Sequence, residues 1–241
     1  MVLNSDTHMK PAQIRALAKD RLRGHYPNAI LLFAGVEILT TSITNLCSIA
    51  IPSNQFMYLL SFLFSYILSI FFGIFEAGIV LFYLKLCCNI PCGLNDLFWG
   101  FTNHPNKILG IQVVLSTISY VCMIPYYYFE ATIGNTTSVP IMFMTFAVMA
   151  LCTGVSILVK LPFLPCYYIL HDFPSKSVKE ILSYSTKLMT RNVFRLFTLK
   201  LSFLPLFVLG FCSCGVGLLW IVPYTYTAYT IFYLDLIKPK N

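Results

Sequence analysis

Four ionisable residues stand inside or beside long apolar runs of this chain: Glu37, Glu76, Lys160 and Lys200. A charge at the centre of a bilayer costs about 2.5–3.5 kcal/mol on insertion scales, so it normally turns toward other helices or a watery cavity. Glu37 falls near the middle of its apolar run. Glu76 falls about 10 Å from the inner end of its own, if that run is helical. Two carboxylates so placed could relay protons or cations, or build a substrate site. The structural alternative pairs each acid with a Lys, Tyr or Ser across helices. Lys160 and Lys200 sit near the inner ends of their runs and could instead snorkel to headgroups.

Other reactive residues point to less. Cys88 and Cys92 have one acceptable metal spacing, with Cys87 and His104 nearby, but a tetrahedral zinc site wants a second pair. No metal and no other cofactor is expected. Cys212 and Cys214 are two apart, where a disulfide would be strained, so free thiols are expected. His8, His25, His104 and His171 lack a matched acid and nucleophile at motif spacing. There is no Walker A loop, HExxH or GxSxG. A non-enzymatic protein is therefore expected, although membrane hydrolases can spread their residues across helices. The run Tyr126-Tyr127-Tyr128-Phe129 and the aromatics Trp220, Tyr224, Tyr226, Tyr229 and Tyr233 read as an interfacial belt plus packing.

The elements that must position these residues follow from composition. The 241 residues are 58% hydrophobic and only 10% charged, with a mean hydropathy of +0.77. Soluble domains carry about 25% charged residues. Apolar runs of roughly 18 or more residues can cross a bilayer as helices. Six are expected, at about 28–49, 57–84, 108–128, 140–164, 193–211 and 215–236, in a single all-α integral membrane domain spanning 1–241. Prolines in or beside the last four (Pro125, Pro140, Pro162, Pro165, Pro205 and Pro223) free backbone groups that neighbouring helices can satisfy. Cys47, Cys122, Cys152 and Cys166 behave as small apolar side chains there. No cleavable signal peptide is apparent, so the first run is expected to stay as an anchor.

Basic residues orient the spans. Lys10, Arg15, Lys19, Arg21 and Arg23 precede the first. Lys85 and Lys107 lie between the second and third. Lys176, Lys179, Lys187 and Arg191 lie between the fourth and fifth, and Lys238 and Lys240 end the chain. The alternate loops, Ile51 to Gln55, Phe129 to Ser138 and Cys212 to Cys214, carry no Lys or Arg. Both termini are therefore expected in the cytoplasm. Asn135-Thr136-Thr137 matches an outer-side glycosylation sequon, which matters only in a eukaryotic secretory pathway. The net charge of +7 fits anionic headgroups at the cytoplasmic face better than nucleic acid.

Three of the basic segments read as amphipathic. In 9–24, Pro11 suits a first turn, and Ile14, Leu17, Ala18 and Leu22 share a face. That pattern predicts a helix lying in the inner headgroup layer. In 177–191, Ser177 and Glu180 have capping-box spacing, and Val178, Ile181, Leu182, Ser185, Leu188 and Met189 share a face. Leu94, Leu97, Phe98 and Phe101 mark a shorter helix. Lys10, Arg15, Lys19, Arg23, Lys179, Lys187 and Arg191 would contact lipid headgroups. Each segment precedes two spans, which suggests a threefold repeat of surface helix plus hairpin. The alternative is that any such protein has amphipathic loops.

An ordered set of motifs carries a resemblance. Asp172-Phe173-Pro174, Ser185 and Leu188-Met189 are followed by Arg195-Leu196-Phe197 and Leu201-Ser202-Phe203. Then come Gly215-Val216-Gly217, Leu219-Trp220, Pro223-Tyr224 and Phe232-Tyr233-x-Asp235-Leu236. Ala18-Lys19 to Leu22-x-Gly24 and Leu97-Phe98-x-Gly100-Phe101 fit the same pattern. Over nearly its whole length the chain resembles the bacterial integral-membrane family catalogued as domain of unknown function 975. It departs at Leu161-Pro162-Phe163-Leu164-Pro165, where that family tends to have Pro-Gly. The resemblance implies a multi-pass bacterial plasma-membrane protein and no reaction. It is similar in layout to the membrane portion of some glycerophosphodiester phosphodiesterases, which also implies a non-catalytic module.

Two functional expectations follow. The first is a non-catalytic scaffold that binds lipids or a protein partner, including a second copy of itself, through its basic helices. The second is a small transporter or export component using Glu37 and Glu76.

Overall fold

The computed structural model describes residues 8–48, 55–133 and 138–238, and every element among them is helical. The triplet Asn135-Thr136-Thr137, the loop at 51–54 and Lys240 lie outside the described residues, as does the side chain of Cys47. The helices are α1 (Pro11–Leu22), α2 (Tyr26–Ser48), α3 (Gln55–Cys87), α4 (Trp99–Thr102), α5 (Pro105–Ile133) and α6 (Val139–Lys160). After them come α7 (Cys166–Asp172), α8 (Val178–Met189), α9 (Val193–Leu201), α10 (Leu204–Cys212) and α11 (Leu218–Ile237). Short 3-10 turns at Leu94–Phe98 and Leu161–Phe163 precede α4 and α7.

Among the described residues, five helical stretches are long and apolar enough to cross a membrane: Tyr26–Asn45, Leu60–Cys87, Pro105–Glu130, Val139–Asp172 and Val193–Cys212. The expected sixth, α11, is not among them. Its Tyr and Thr residues and Asp235 lower its hydropathy, and the packing explains how it carries them. Thr225, Thr227, Thr230, Tyr233 and Asp235 are all buried in the protein. By contrast α6 turns Phe143 (72% exposed) and Leu151 (68% exposed) outward, a surface suited to hydrocarbon.

Proline decides where the last two of these stretches bend. Pro162 and Pro165 interrupt the stretch from α6 to α7 with a 3-10 turn. Such a break frees carbonyls, because proline has no N–H to donate. At this break Ser185 of α8 donates its hydroxyl to the Pro162 carbonyl at 2.7 Å. The expected helix at 193–211 is two helices, α9 and α10, divided just before Pro205. The Ser202 carbonyl at that division accepts from Arg15 Nη1 at 3.3 Å.

The basic segments are covered differently from the expectation. On α1, Ile14, Ala18 and Leu22 are buried by protein. Ile14 and Ala18 share a core with Leu196, Leu199, Phe203, Ala228 and Phe232 of α9 to α11. The face expected to enter the headgroup layer is thus occupied by helices. On α8 the reciprocal cap forms, with Ser177 N donating to Glu180 Oε2 at 2.7 Å and Glu180 N to Ser177 Oγ at 3.4 Å. Its Ile181, Ser185 and Met189 are buried. The middle segment is a 3-10 turn and a single helical turn, so the three segments differ in length and do not establish a repeat.

A polar clamp fixes α1 to α11. Asp235, 6% exposed, bonds Arg195 and accepts from the Met9 amide at 3.2 Å. His8 Nδ1 lies 3.4 Å from the same carboxylate, and Arg195 also donates to the Met9 carbonyl at 2.9 Å. Breaking a buried pair from one side leaves an uncompensated charge. Nearby, Lys85 meets Asp96 at 2.5 Å, and Lys107 donates to the Pro174 carbonyl at 2.6 Å. These contacts tie the connecting segments together at the end that holds both described termini.

Two outcomes are expected. Arg195→Ala should destabilise the protein by about 3 kcal/mol and release α1, read as faster proteolysis within residues 8–25 and a lower detergent melting temperature. Gly78 faces the Leu97 carbonyl so closely that a Cβ would lie 2.3 Å from its oxygen, whereas nothing lies within 4 Å of a Cβ on Gly35. Gly78→Ala should therefore cost about 1–3 kcal/mol, and Gly35→Ala should leave the melting temperature unchanged or slightly raised.

Candidate functional site: a polar cavity between the helices

The ionisable residues singled out by sequence separate into two groups. Glu76, Lys160 and Lys200 line one cavity of about 380 Å³; Glu37 does not line it. Glu37 is exposed on α2. The expectation that both deep acids turn inward therefore fails for Glu37, which sits on the outer side of its helix. Glu76 lies farther from the end of its helix than expected, because α3 runs on to Cys87. Eleven residues at 1.5 Å put it about 16 Å from that end.

Seven parts of the fold converge on the cavity. Helix α3 contributes Ser69 and Glu76, and α5 contributes Gln112, Ser116, Ser119 and Tyr120. Lys160 ends α6, and Phe163 comes from the turn after it. Tyr167 and Tyr168 come from α7, Lys200 from α9, and Tyr226 and Tyr229 from α11. The two lysines enter because their helices break just beyond them.

Hydrogen bonds fix the walls. Tyr226 donates to the Glu76 carboxylate, with oxygens at 3.0 and 3.2 Å. Tyr167 donates to Gln112 Oε1 at 2.5 Å, and Gln112 Nε2 donates to the Ser69 carbonyl at 3.2 Å. Lys160 Nζ donates to Ser119 Oγ at 3.0 Å. Lys200 Nζ lies 5.2 Å from the Tyr229 ring centroid, a cation–π contact. Among the described residues no carboxylate lies within 4.0 Å of Lys160 or Lys200. Glu76 thus has the Tyr partner of the structural reading, but neither lysine neutralises it directly.

Sequence reasoning missed Gln112, Ser119, Tyr167 and Tyr168 as site residues. Gln112 offered a signal, being the one amide in the apolar part of α5 that follows Lys107. The hydroxyls offered none, since Ser and Tyr occur throughout the apolar runs. The α11 tyrosines pack and bond within the protein. Tyr224 donates to the Arg15 carbonyl at 3.1 Å, and Tyr233 donates to Asp172 at 2.5 Å.

The residues expected at headgroups lie at the basic end. Lys10, Lys19, Arg23, Lys179, Lys187 and Arg191 are exposed, while Arg15 is partly buried against Ser202. Arg23 pairs with Asp20 at 3.6 Å. No group of three or more His, Cys, Asp or Glu able to hold a metal is found among the described residues. Desolvation pushes the Cys88 and Cys92 thiols up, with the charges of Asp172 and Asp96 adding to it respectively, so neither is poised as a thiolate. Cys212 and Cys214 are free and exposed.

The chain belongs to the family described as protein of unknown function (DUF975), whose pattern matches residues 9–240. No curated protein and no solved structure matches it.

The hydrogen bond between Tyr226 and Glu76 is open to a direct check. A hydrogen bond to a charged group is worth about 1.5–3 kcal/mol. Tyr226→Phe should lower stability by that order, whereas in a Glu76→Gln background the same change should cost clearly less. Melting temperatures of the four proteins form a double-mutant cycle that reads the coupling.

Proposed function

We propose that this chain is a non-catalytic, multi-pass membrane carrier that takes a small polar ligand into the cavity around Glu76, Lys160 and Lys200. The observation that carries this reading is the cavity itself. An acid and two lysines from three helices face about 380 Å³ of shared space, within the usual range of ligand sites. Residues serving only structure would close on one another, because an unpaired charge away from water is costly. In this reading α11 is a sixth span shielded by its neighbours, and both termini are cytoplasmic, as the distribution of Lys and Arg favours. The family resemblance supports placing it in a bacterial plasma membrane.

Glu37 has no part in the carrier reading, in contrast to the transporter expected from sequence. The scaffold reading keeps one specific support. Lys19, Arg23, Lys179, Lys187 and Arg191 are exposed at one end, where they would attract anionic headgroups or an acidic partner.

Proteoliposomes separate the two. With a pH-sensitive dye inside and an imposed proton or ion gradient, wild-type protein should give a flux above empty vesicles. Glu76→Gln should lower it at least tenfold, and Glu37→Gln should leave it within twofold. No flux from any imposed gradient, together with loss of cellular function only when the exposed basic residues are neutralised, would establish the scaffold instead.

A further inference from the structure

The charges lining the cavity do not balance. Two ammonium groups, Lys160 and Lys200, face it against one carboxylate, Glu76. That carboxylate already accepts from Tyr226 on both oxygens. Lys160 spends one donor on Ser119, and an ammonium has three. Lys200 has no hydrogen-bond partner among the described residues and rests against the face of Tyr229. The two lysines also repel one another electrostatically. An anion between them would remove that repulsion and occupy donors that the protein leaves unused.

We propose that the cavity binds a phosphate-type oxyanion, carried by a lipid headgroup or by a small solute, between Lys160 and Lys200. This rests on the cavity being a ligand site and adds the class of ligand. Lysine presents a compact point charge with three rotatable donors, and in that form it is a recurrent partner of phosphate oxygens. The volume exceeds what one inorganic ion needs, so an organic portion enters with it. Val80, Leu115, Phe163 and Leu164 supply an apolar wall for that portion.

The test uses the purified full chain in an uncharged detergent. Its probes are inorganic phosphate, short-chain phosphatidylglycerol, a short-chain diacylglycerol that lacks phosphate, and ethylammonium, each read by melting temperature and by protection of Lys160 and Lys200 from amine-reactive labelling. Either phosphate or phosphatidylglycerol should protect both lysines at least fivefold and raise the melting temperature. The Lys160→Met/Lys200→Met variant should lose that rise, and Lys200→Arg should keep most of it. Protection by phosphate as well as by the lipid assigns a free solute. Protection by phosphatidylglycerol alone assigns a headgroup.

Labelling is read on wild-type protein, so the proposal stays testable if the double variant does not fold. Equal protection by the diacylglycerol and by phosphatidylglycerol, with none by phosphate, would overturn the anion assignment. Binding of ethylammonium that depends on Glu76 and not on the lysines would overturn it while leaving the cavity a ligand site. If no probe alters labelling or melting, both the anion and the ligand-site reading fall.

Discussion

A polar side chain away from water has to find its partners in protein, and α11 is where that requirement organises this molecule. Thr227 and Thr230 return their hydroxyls to carbonyls of their own helix. Thr230 also meets the Tyr168 hydroxyl at 3.0 Å. Tyr224, Tyr226 and Tyr233 reach α1, α3 and the end of α7 in turn. Asp235 holds Arg195 and the start of α1. The partners outside α11 lie on or beside α1, α3, α7 and α9, so satisfying one helix assembles the others around it. The apolar surfaces left over, such as that of α6, face outward.

The breaks at Pro162, Pro165 and Pro205 are the second organising feature. An unbroken helix satisfies its own carbonyls and directs its side chains around a straight axis. A broken one does neither. Here the carbonyls of Pro162 and Ser202 accept from Ser185 and Arg15. The same breaks leave Lys160 and Lys200 as the last polar residues of their segments, facing the cavity. Backbone repair and the placement of the charges are thus one arrangement. It also explains why Arg15 and Ser185, which read as a headgroup contact and a helix-face residue, are engaged within the protein.

Much of this was legible in the chain. Long apolar runs require helices, since a backbone away from water has to bond within its own segment. The capping pair Ser177 and Glu180 and the first-turn Pro11 mark helix starts by local chemistry alone, and both helices begin there. Glu76, Lys160 and Lys200 stood out because charges are rare in such runs. Gln112, Ser119 and Tyr167 did not, because neutral polar groups occur there without signalling which way they face.

What the amino-acid order determined by itself was therefore the helical class, the rough limits of the helices and the identity of the charged residues. All of these depend on local composition and on the backbone's own hydrogen bonding. Only the tertiary structure decided that Glu37 lies outside while Glu76 faces two lysines, and that α1 packs on protein. It alone decided that α11 encloses its Thr residues, Tyr233 and Asp235 within the protein. Those outcomes depend on which helix faces are neighbours. Periodicity shows that a face exists, but it cannot tell whether lipid, water or another helix covers it.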